Sequence, residues 1–454
     1  MKHSIILFSA AALLLTSCGV YKKYTRPEIE TEALYRDTTT VATDTASIAS
    51  LSWRTLFTDP RLQALIEQGL RHNTDLQVAR LQIEEAQAVL QNARLSYLPS
   101  LSLAPQGGVS RYDGSTSKTY NLAATANWEL DIFGKNTNAK RGAREALEGS
   151  RDYAQAVQTQ LVATIAGSYY TLLMLDRQLE IGEQTLQSWE KSIRTLESLK
   201  QAGQANDAAV LQARANRMQL EASVLTIRKR IAETENTLSA LLALQSQDIA
   251  RGKLSEAEFP DRLSLGLPVQ LLSRRPDVRR AERNLAQAFY ATNAARSAFY
   301  PTLTLSGTVG WTNNGGGIIA NPGKWLLNAI GSLTQPLFNK GTNMANLKIA
   351  KARQEEAKLR FQQSLLDAGK EVNNALAGWQ AARQRIVIGT QQVDTLREVV
   401  RKTQLLMRYS SVTYLEVLTA QQSLLAAEQT QAQDYFDEIQ GVISLYHALG
   451  GGSE

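Results

Sequence analysis

Two stretches of this sequence, Thr137 to about Gln201 and Thr342 to about Tyr409, read as helix without a single proline. At 1.5 Å per residue each would be on the order of 100 Å long, wider than any compact domain. Leu172, Leu175, Leu179, Gly182, Leu186, Trp189, Ile193 and Leu196 alternate by three and four in the first. Val372, Ala375, Trp379, Ala382, Ile386, Gly389, Val393, Leu396 and Val400 do so in the second. Heptad spacing packs helices on their neighbours with coiled-coil geometry, so Trp189 and Trp379 read as core knobs rather than ligand contacts. Each stretch meets a break, at residues 201–206 or 410–413, and then a second long helix, about Asp207 to Leu244 or Tyr414 to Leu449. The chain thus makes an αα-hairpin twice.

The duplication extends further. The segment from Ala93 to Leu103, with Pro99 inside it, aligns with Ala295 to Leu305, with Pro301, about 202 residues later, and Phe133-Gly134-Lys135 aligns with Phe338-Asn339-Lys340. Two copies follow, residues 60–247 and 268–454, joined by a linker over 248–267. After each aligned proline the period changes to two. From Tyr120 to Ile132 the even positions are apolar or small, and Leu303, Leu305, Val309 and Trp311 alternate with Thr302, Thr304, Ser306 and Thr308. These are two-faced strands, turning at Asp113-Gly114 and around Asn313 to Gly317, so that hairpins occupy about 100–134 and 301–338. Trp128, Trp311 and Trp325, half of the six tryptophans, fall here, as in the aromatic girdle of an outer-membrane barrel. Four strands cannot close a barrel, because bacterial barrels have at least about eight. Two chains would supply eight and three would supply twelve, and the pattern alone does not choose.

The N-terminus points to the same membrane. Lys2 and His3 precede an apolar run, Ile5 to Leu15, that is too short to span a bilayer, and Thr16 and Ser17 are small. That is an export signal over residues 1–17. Leu15-Thr16-Ser17-Cys18 is similar to the lipobox of bacterial lipoproteins, which makes Cys18 the acylated first residue of the mature chain; acyl chains hold a protein to a membrane surface. Cys18 is the one cysteine, which excludes a disulfide framework or multi-cysteine metal site within the chain. Residues 18–59, rich in Thr, Asp, Ser and Ala, read as a tether, with the ordered part beginning near Trp53. No later run approaches the roughly 20 apolar residues of a transmembrane helix.

Charge names no partner, with 49 basic and 43 acidic residues. The one conspicuous cluster is LLSRRPDVRRAERN, Leu271 to Asn284, with Arg274, Arg275, Arg279, Arg280 and Arg283. A polyanion site would use such guanidinium groups, but Asp277 and Glu282 dilute it, and Arg279 with Glu282 has the spacing of a helix-surface pair. Its counterpart in the first copy is Asn73-Thr74-Asp75, with Asp75 aligned to Asp277. Pro276 suits a first helical position and Asp277 the positive helix end. The run therefore marks a helix junction, its arginines pairing with acids on neighbouring helices, and not a nucleic-acid site. No catalytic constellation is present. His3 leaves with the signal, His72 and His447 lie in separate helices, and the glycines from Gly317 to Lys324 are spaced wrongly for a phosphate loop, with Trp325 where Ser or Thr is needed.

Taken with the lipobox, these words resemble the TolC family of outer-membrane channels, in particular the lipoprotein outlets of RND-type efflux pumps. The resemblance rests on Cys18 to Tyr21 with Tyr24 and Arg26-Pro27, Trp53 with Asp59-Pro60-Arg61-Leu62, and Trp128 to Lys135. Leu267 to Glu282, Gln335-Pro336-Leu337-Phe338 and Tyr414 to Gln421 complete it. The arginine-proline-aspartate run, Arg274-Arg275-Pro276-Asp277, is its most specific word. The resemblance implies a mainly α fold with a transmembrane β-barrel portion. Coiled-coil hairpins would form a periplasmic α-barrel, and four strands per chain would enter a shared twelve-stranded barrel in a homotrimer. It implies a passive exit channel rather than an enzyme, with no cofactor or metal, lipid-anchored in the outer membrane. A periplasmic adaptor and an inner-membrane RND transporter would be its partners. Family members commonly close their helical tips with acids. Glu416 matches one such position, while Thr419 and Ser410 stand where a second acid and a glycine are usual. Arg408, Tyr409 and Asp207, near the tips, are further candidates. The plainer reading of Glu416 is an acid favoured by the helix dipole. The rival functions are the outlet of a type I protein secretion system and a non-conducting coiled-coil lipoprotein.

Overall fold

A computed structural model describes residues 23–27, 51–257, 259, 275–313, 324–408 and 414–451. The signal sequence and Cys18 lie outside the described residues, as do Arg274 and Tyr409. Helix α1 (Trp53–Leu56) precedes copy 1, which runs α2 (Pro60–His72), α3 (Thr74–Leu95), β1 (Ser100–Tyr112), β2 (Ser115–Leu130), α4 (Lys135–Gln201) and α5 (Asp207–Leu241). After a 3-10 turn at Leu254–Glu256 come α6 (Pro276–Ser297), β3 (Thr302–Thr312), β4 (Lys324–Thr334), α7 (Thr342–Arg408) and α8 (Tyr414–Ala448). Corresponding helices match residue for residue in length: α3 and α6 have 22 each, α4 and α7 have 67, and α5 and α8 have 35. Among the described residues no helix is long and apolar enough to cross a membrane.

The chain divides into two compact units, and each draws on both copies. The first comprises Met1–Ile29, Leu81–Arg151 and Arg279–Gln363 and contains the sheet, an antiparallel array in the order β1-β2-β3-β4. The β1–β2 turn places Asp113 at φ 44 and Gly114 at φ 76, the left-handed pair of a two-residue hairpin. Between β2 and β3 the backbones close tightly at Gly310, where a Cβ would lie 2.1 Å from the Leu122 carbonyl oxygen.

The sequence word Trp128 to Lys135 is the exit from this sheet. The Trp128 indole donates to the Tyr97 carbonyl at 2.8 Å, and Glu129 pairs with Lys135 at 2.8 Å. Asp131 accepts from the backbone N–H of Asn136 (2.9 Å) and Thr137 (2.7 Å), satisfying donors that the start of α4 leaves open. That cap starts the helix at Lys135, two residues before Thr137. Phe133 stacks on Tyr300 with centroids 5.0 Å apart. Part of the tether is also placed in this unit. Tyr24 meets Phe289 edge-on at 5.8 Å, and Arg26 lies over Phe361 and 3.5 Å from Glu282. Burial, helped by the Glu282 charge, pushes the Tyr24 phenol up to about 12.

The second unit, Glu30–Arg80, Asp152–Val278 and Ser364–Glu454, is helical. Its core gathers Trp53, Phe57, Leu62, Ile165, Tyr169 and Leu172, with Leu445 and Tyr446 from α8. Asp59 caps α2 by accepting from the Arg61 N–H at 2.8 Å, and it also accepts from the Tyr169 hydroxyl, which in turn accepts from the Gly252 N–H. Arg251 fixes the same linker by pairing with Asp176 and Glu235, each at 2.5 Å. The expected seam is present: Leu172, Leu175, Leu196, Val372 and Ala382 are buried. Trp189 is buried and Trp379 packs against Gly441, so both tryptophans are core side chains. The helix α5 stops at Leu241, short of Leu244, because Ala243 turns to φ 55.

Candidate functional site

Three features are candidates for a functional role: the sheet, the helical tips and the junction that begins α6. In the sheet, register decides which side chains share a face. Leu103 stands opposite Ala124, Ala124 opposite Val309 and Val309 opposite Leu327; Trp128 meets Leu305, and Trp311 meets Trp325. Odd positions of β1, β3 and β4 and even positions of β2 therefore form one continuous face, largely of Leu, Val, Ala and Trp. The other carries Ser102, Gln106, Asn121, Thr125, Asn127, Ser306, Thr308 and Asn328, with Leu326 and Ile330 on β4 as exceptions. The apolar face is open: Leu101 is 80% and Leu327 82% exposed. So is the backbone of the two edge strands, β1 and β4, within the chain. A sheet apolar on one side, polar on the other and unclosed is a segment of a membrane barrel.

At the helical tips, Ile193 and Leu196 of α4, Val210 and Ala213 of α5, and Tyr414, Val417 and Leu418 of α8 form a small core of their own. Ser192 joins the two hairpins by accepting from the Gln421 amide at 3.4 Å and bonding the Tyr414 hydroxyl. Ion pairs hold the helices of each hairpin side by side, Arg214–Glu197 (2.5 Å) and Arg228–Glu183 (2.7 Å) in the first, Arg397–Glu428 (2.8 Å) and Arg385–Asp434 (2.6 Å) in the second. Glu416 is exposed in the first turn of α8, and among the described residues it makes no ion pair. Asp207 is exposed in the first turn of α5, where it takes Lys200 at 2.5 Å. Arg408 ends α7 with its side chain outside the description, and Tyr409 is outside it altogether. The tip thus gathers α4, α5 and α8, and Tyr414, Ser192 and Gln421 are contacts that the sequence reading did not single out.

The junction accounts for two arginines of the cluster, Arg275 and Arg283. Arg275, 4% exposed, donates from Nη1 to the carbonyl of Ala448 at 2.8 Å, grips Asp277 with two nitrogens (3.0 and 2.6 Å) and reaches Glu371 at 2.7 Å. Ala448 is the last residue of α8, whose terminal carbonyls lack intrahelical donors. In copy 1 the aligned residue is Asn73. It donates to the carbonyl of Leu241, the last residue of α5, at 3.0 Å, and accepts from the Leu76 N–H at 3.0 Å. One position thus closes the 35-residue helix in both copies, with an amide in one and a guanidinium in the other. Burial would raise the Asp277 carboxyl, but the Arg275 hydrogen bond and charge hold it below its ordinary value. Burial and the same guanidinium push His447 down. Arg283, farther along, pairs with Glu145 at 3.0 Å. A cavity of about 550 Å³ lies here, lined by Asn73, Tyr153, Arg275, Asp277, Glu371 and His447 among others. Among the described residues no three His, Cys, Asp or Glu are placed to hold a metal. Residues 317–323 of the glycine-rich run lie outside the described ones.

Coiled-coil hairpins joined to strands that demand barrel closure define a subunit of an outer-membrane channel. The chain belongs to the outer membrane efflux protein family, whose profile matches residues 65–244 and 267–451. It is 30% identical over 450 residues to the cation efflux system protein CusC of Escherichia coli (strain K12), covering 97% of this chain and 98% of that one. It is 29% identical to the probable outer membrane lipoprotein SilC of Salmonella typhimurium, covering 99% of both. Among solved structures, the outer-membrane channel OprN superposes with a TM-score of 0.88 at 27% identity, over 96% of this chain and 100% of that one. The protein is an outer-membrane efflux channel, mainly helical with a β-barrel portion.

Proposed function

We propose that three copies of this chain close a twelve-stranded barrel and act as the exit duct of a tripartite pump. An adaptor and an inner-membrane transporter would supply the cargo, and opening at the helical tips would release it. One observation carries the closure: both edges of an amphipathic sheet are unpaired, and open edges do not occur in hydrocarbon. The internal duplication supplies the missing seam. Within the chain, β2 of copy 1 meets β3 of copy 2 with Trp128 opposite Leu305 and Leu122 opposite Trp311. Carried across by the offset between copies, β4 meets β1 of the next chain with Leu333 opposite Leu103 and Leu327 opposite Val109. That register keeps the apolar residues on one face. It also sets Phe338, 85% exposed, against Leu98, 61% exposed, just as Phe133 stacks on Tyr300. Passive conduction fits a chain whose polar sheet face carries Ser, Thr and Asn. Cys18 would add the lipid anchor, beside a relative named as a lipoprotein. Relatives named as a cation efflux system protein and as a toluene efflux pump outer membrane protein make metal cations and organic toxicants the cargo classes to test.

Cysteine cross-linking tests the seam. A full-length chain carrying Leu333→Cys and Leu103→Cys should oxidise to covalent dimers and trimers in membranes, whereas Leu333→Cys with Ser102→Cys, one residue out of register, should not. A ladder that ends at dimers would mean an eight-stranded barrel and overturn the trimer. For the anchor, labelled palmitate should be incorporated into wild type and not into Cys18→Ala, and incorporation that survives the substitution would refute it.

A further inference from the structure

We propose that Arg111 and Lys118 form a binding site for the phosphorylated headgroup of an outer-leaflet lipid, a reading that rests on the barrel described above. The register pairs Arg111 with Thr116 and Val109 with Lys118. The two cations are therefore diagonal neighbours on one face, about 7–8 Å apart, and that face is the apolar one that also carries Leu101, Leu103 and Val109. Both are exposed, and among the described residues neither has an ion-pair partner. Two like charges side by side without an acid repel each other, and nothing nearby in sequence relieves them. Residues 314–323, between β3 and β4 in the sequence, contain no Asp or Glu. Asp113 is the one acid between Glu84, Glu85 and Glu129, and it makes no ion pair with either cation.

Depth selects the ligand. Leu101 and Val109 are eight residues apart, roughly 27 Å along the strand, which at a tilt near 40° is about 20 Å across the bilayer. Arg111 lies beyond that band, at the end away from the helices, where headgroups replace hydrocarbon. Lys118 is one rung nearer, and its long stem can lift the ammonium to the same level. Tyr120 precedes Leu122 on this face, and the Trp311–Trp325 pair, with centroids 4.8 Å apart, flanks it, as aromatic side chains do at a membrane interface. A guanidinium forks onto phosphate oxygens while an ammonium adds a point charge, so one phosphate monoester could bridge both side chains. The seam inferred above adds a wall, since it brings the next chain's Trp325 opposite Arg111.

The test uses the full-length protein in detergent, with diphosphoryl lipid A and its dephosphorylated form as probes and native mass spectrometry as the readout. Wild type should retain diphosphoryl lipid A at least about tenfold better than Arg111→Gln/Lys118→Gln, as expected for two interfacial cations. Arg111→Lys should keep most of the binding, and the dephosphorylated lipid should not distinguish the proteins. Equal retention of diphosphoryl lipid A by wild type and the double variant overturns the site, as does equal binding of both lipids to wild type. Conductance in zwitterionic bilayers separates this from the channel reading: the double variant should conduct as wild type does. A wild type that never conducts yet still binds phosphate-dependently would count against the channel and leave the lipid site standing.

Discussion

Replacing Arg275 by alanine removes four hydrogen bonds at once, one to the end of α8, two to Asp277 and one to Glu371. Their exposure sets what each loss costs. The acids are about half exposed, with side chains at 48% and 44%, so water rehydrates them and their ion pairs contribute little more than a surface pair, up to about 1 kcal/mol each. The Ala448 carbonyl differs, because Ala448 is 3% exposed and the carbonyl would lose a charged donor. Such bonds are worth roughly 1.5–3 kcal/mol, and the vacated side-chain volume adds to the loss. Arg275→Ala should therefore destabilise each chain by about 2–4 kcal/mol. Arg275→Lys, one ammonium for three acceptors on three sides, should recover no more than about half of that. Glu371→Ala should cost about 1 kcal/mol or less. Urea unfolding of the full-length protein in detergent, followed by tryptophan fluorescence at fixed protein concentration, measures all three. A midpoint for Arg275→Ala within about 0.5 kcal/mol of wild type would sink the account of Arg275 as the closure of α8. So would full rescue by lysine.

Gly310→Val should separate β2 from β3, since its Cβ has no room beside Leu122, and should prevent assembly of the proposed trimer, read by native mass spectrometry, while α-helical circular dichroism persists. A variant that still assembles normally would contradict the close approach. His447 has a folded pKa pushed below its ordinary 6.5, so the native state favours its neutral form and the unfolded chain binds the proton more readily. Stability should then be level above about pH 7 and fall as pH drops through about 6.5. Arg275, Glu371 and Asp277 face it, and Asp277, held below 3.8, adds a separate loss only below about pH 4. His447→Gln should flatten the first slope, and an unchanged profile would exclude His447. Glu416→Ala should raise single-channel conductance of the purified assembly, and unchanged conductance would remove Glu416 from the gate.

The long helices were legible because a seam such as Leu172, Leu175 and Leu179 is a local pattern. The hairpin was legible because Asp113-Gly114 names its own turn. A helix start was also readable, as Pro276 followed by Asp277 at the beginning of α6 shows. What escaped the sequence depends on distance along the chain. Asn73 and Arg275 act on carbonyls 168 and 173 residues away, and neither residue type announces a C-terminal cap at such a range. The arginine cluster attracted attention by its charge, yet the side chain that matters most there works as a hydrogen-bond fork, and its uncharged counterpart Asn73 attracted none. Tyr24 and Arg26 lay in a stretch whose composition suggests only a tether, because docking on Phe289 and Phe361 is a property of the surface they meet. At the tip, Ser192 and Gln421 were invisible for the same reason, since their meeting joins the two copies.

The closure of each 35-residue helix also has a temporal side. A chain exported N-terminus first presents Asn73 and Arg275 to the periplasm long before the carbonyls they serve. Copy 1 can be completed once Leu241 has emerged, whereas the bond from Arg275 to the end of α8 must wait until Ala448 follows. During that interval the guanidinium has Asp277 and Glu371 to hold it, and Asn73, being neutral, needs no such escort. The difference between amide and guanidinium therefore bears on secretion as well as on the finished protein. A stalled or truncated chain lacking the end of α8 would leave the Arg275 joint without its Ala448 partner.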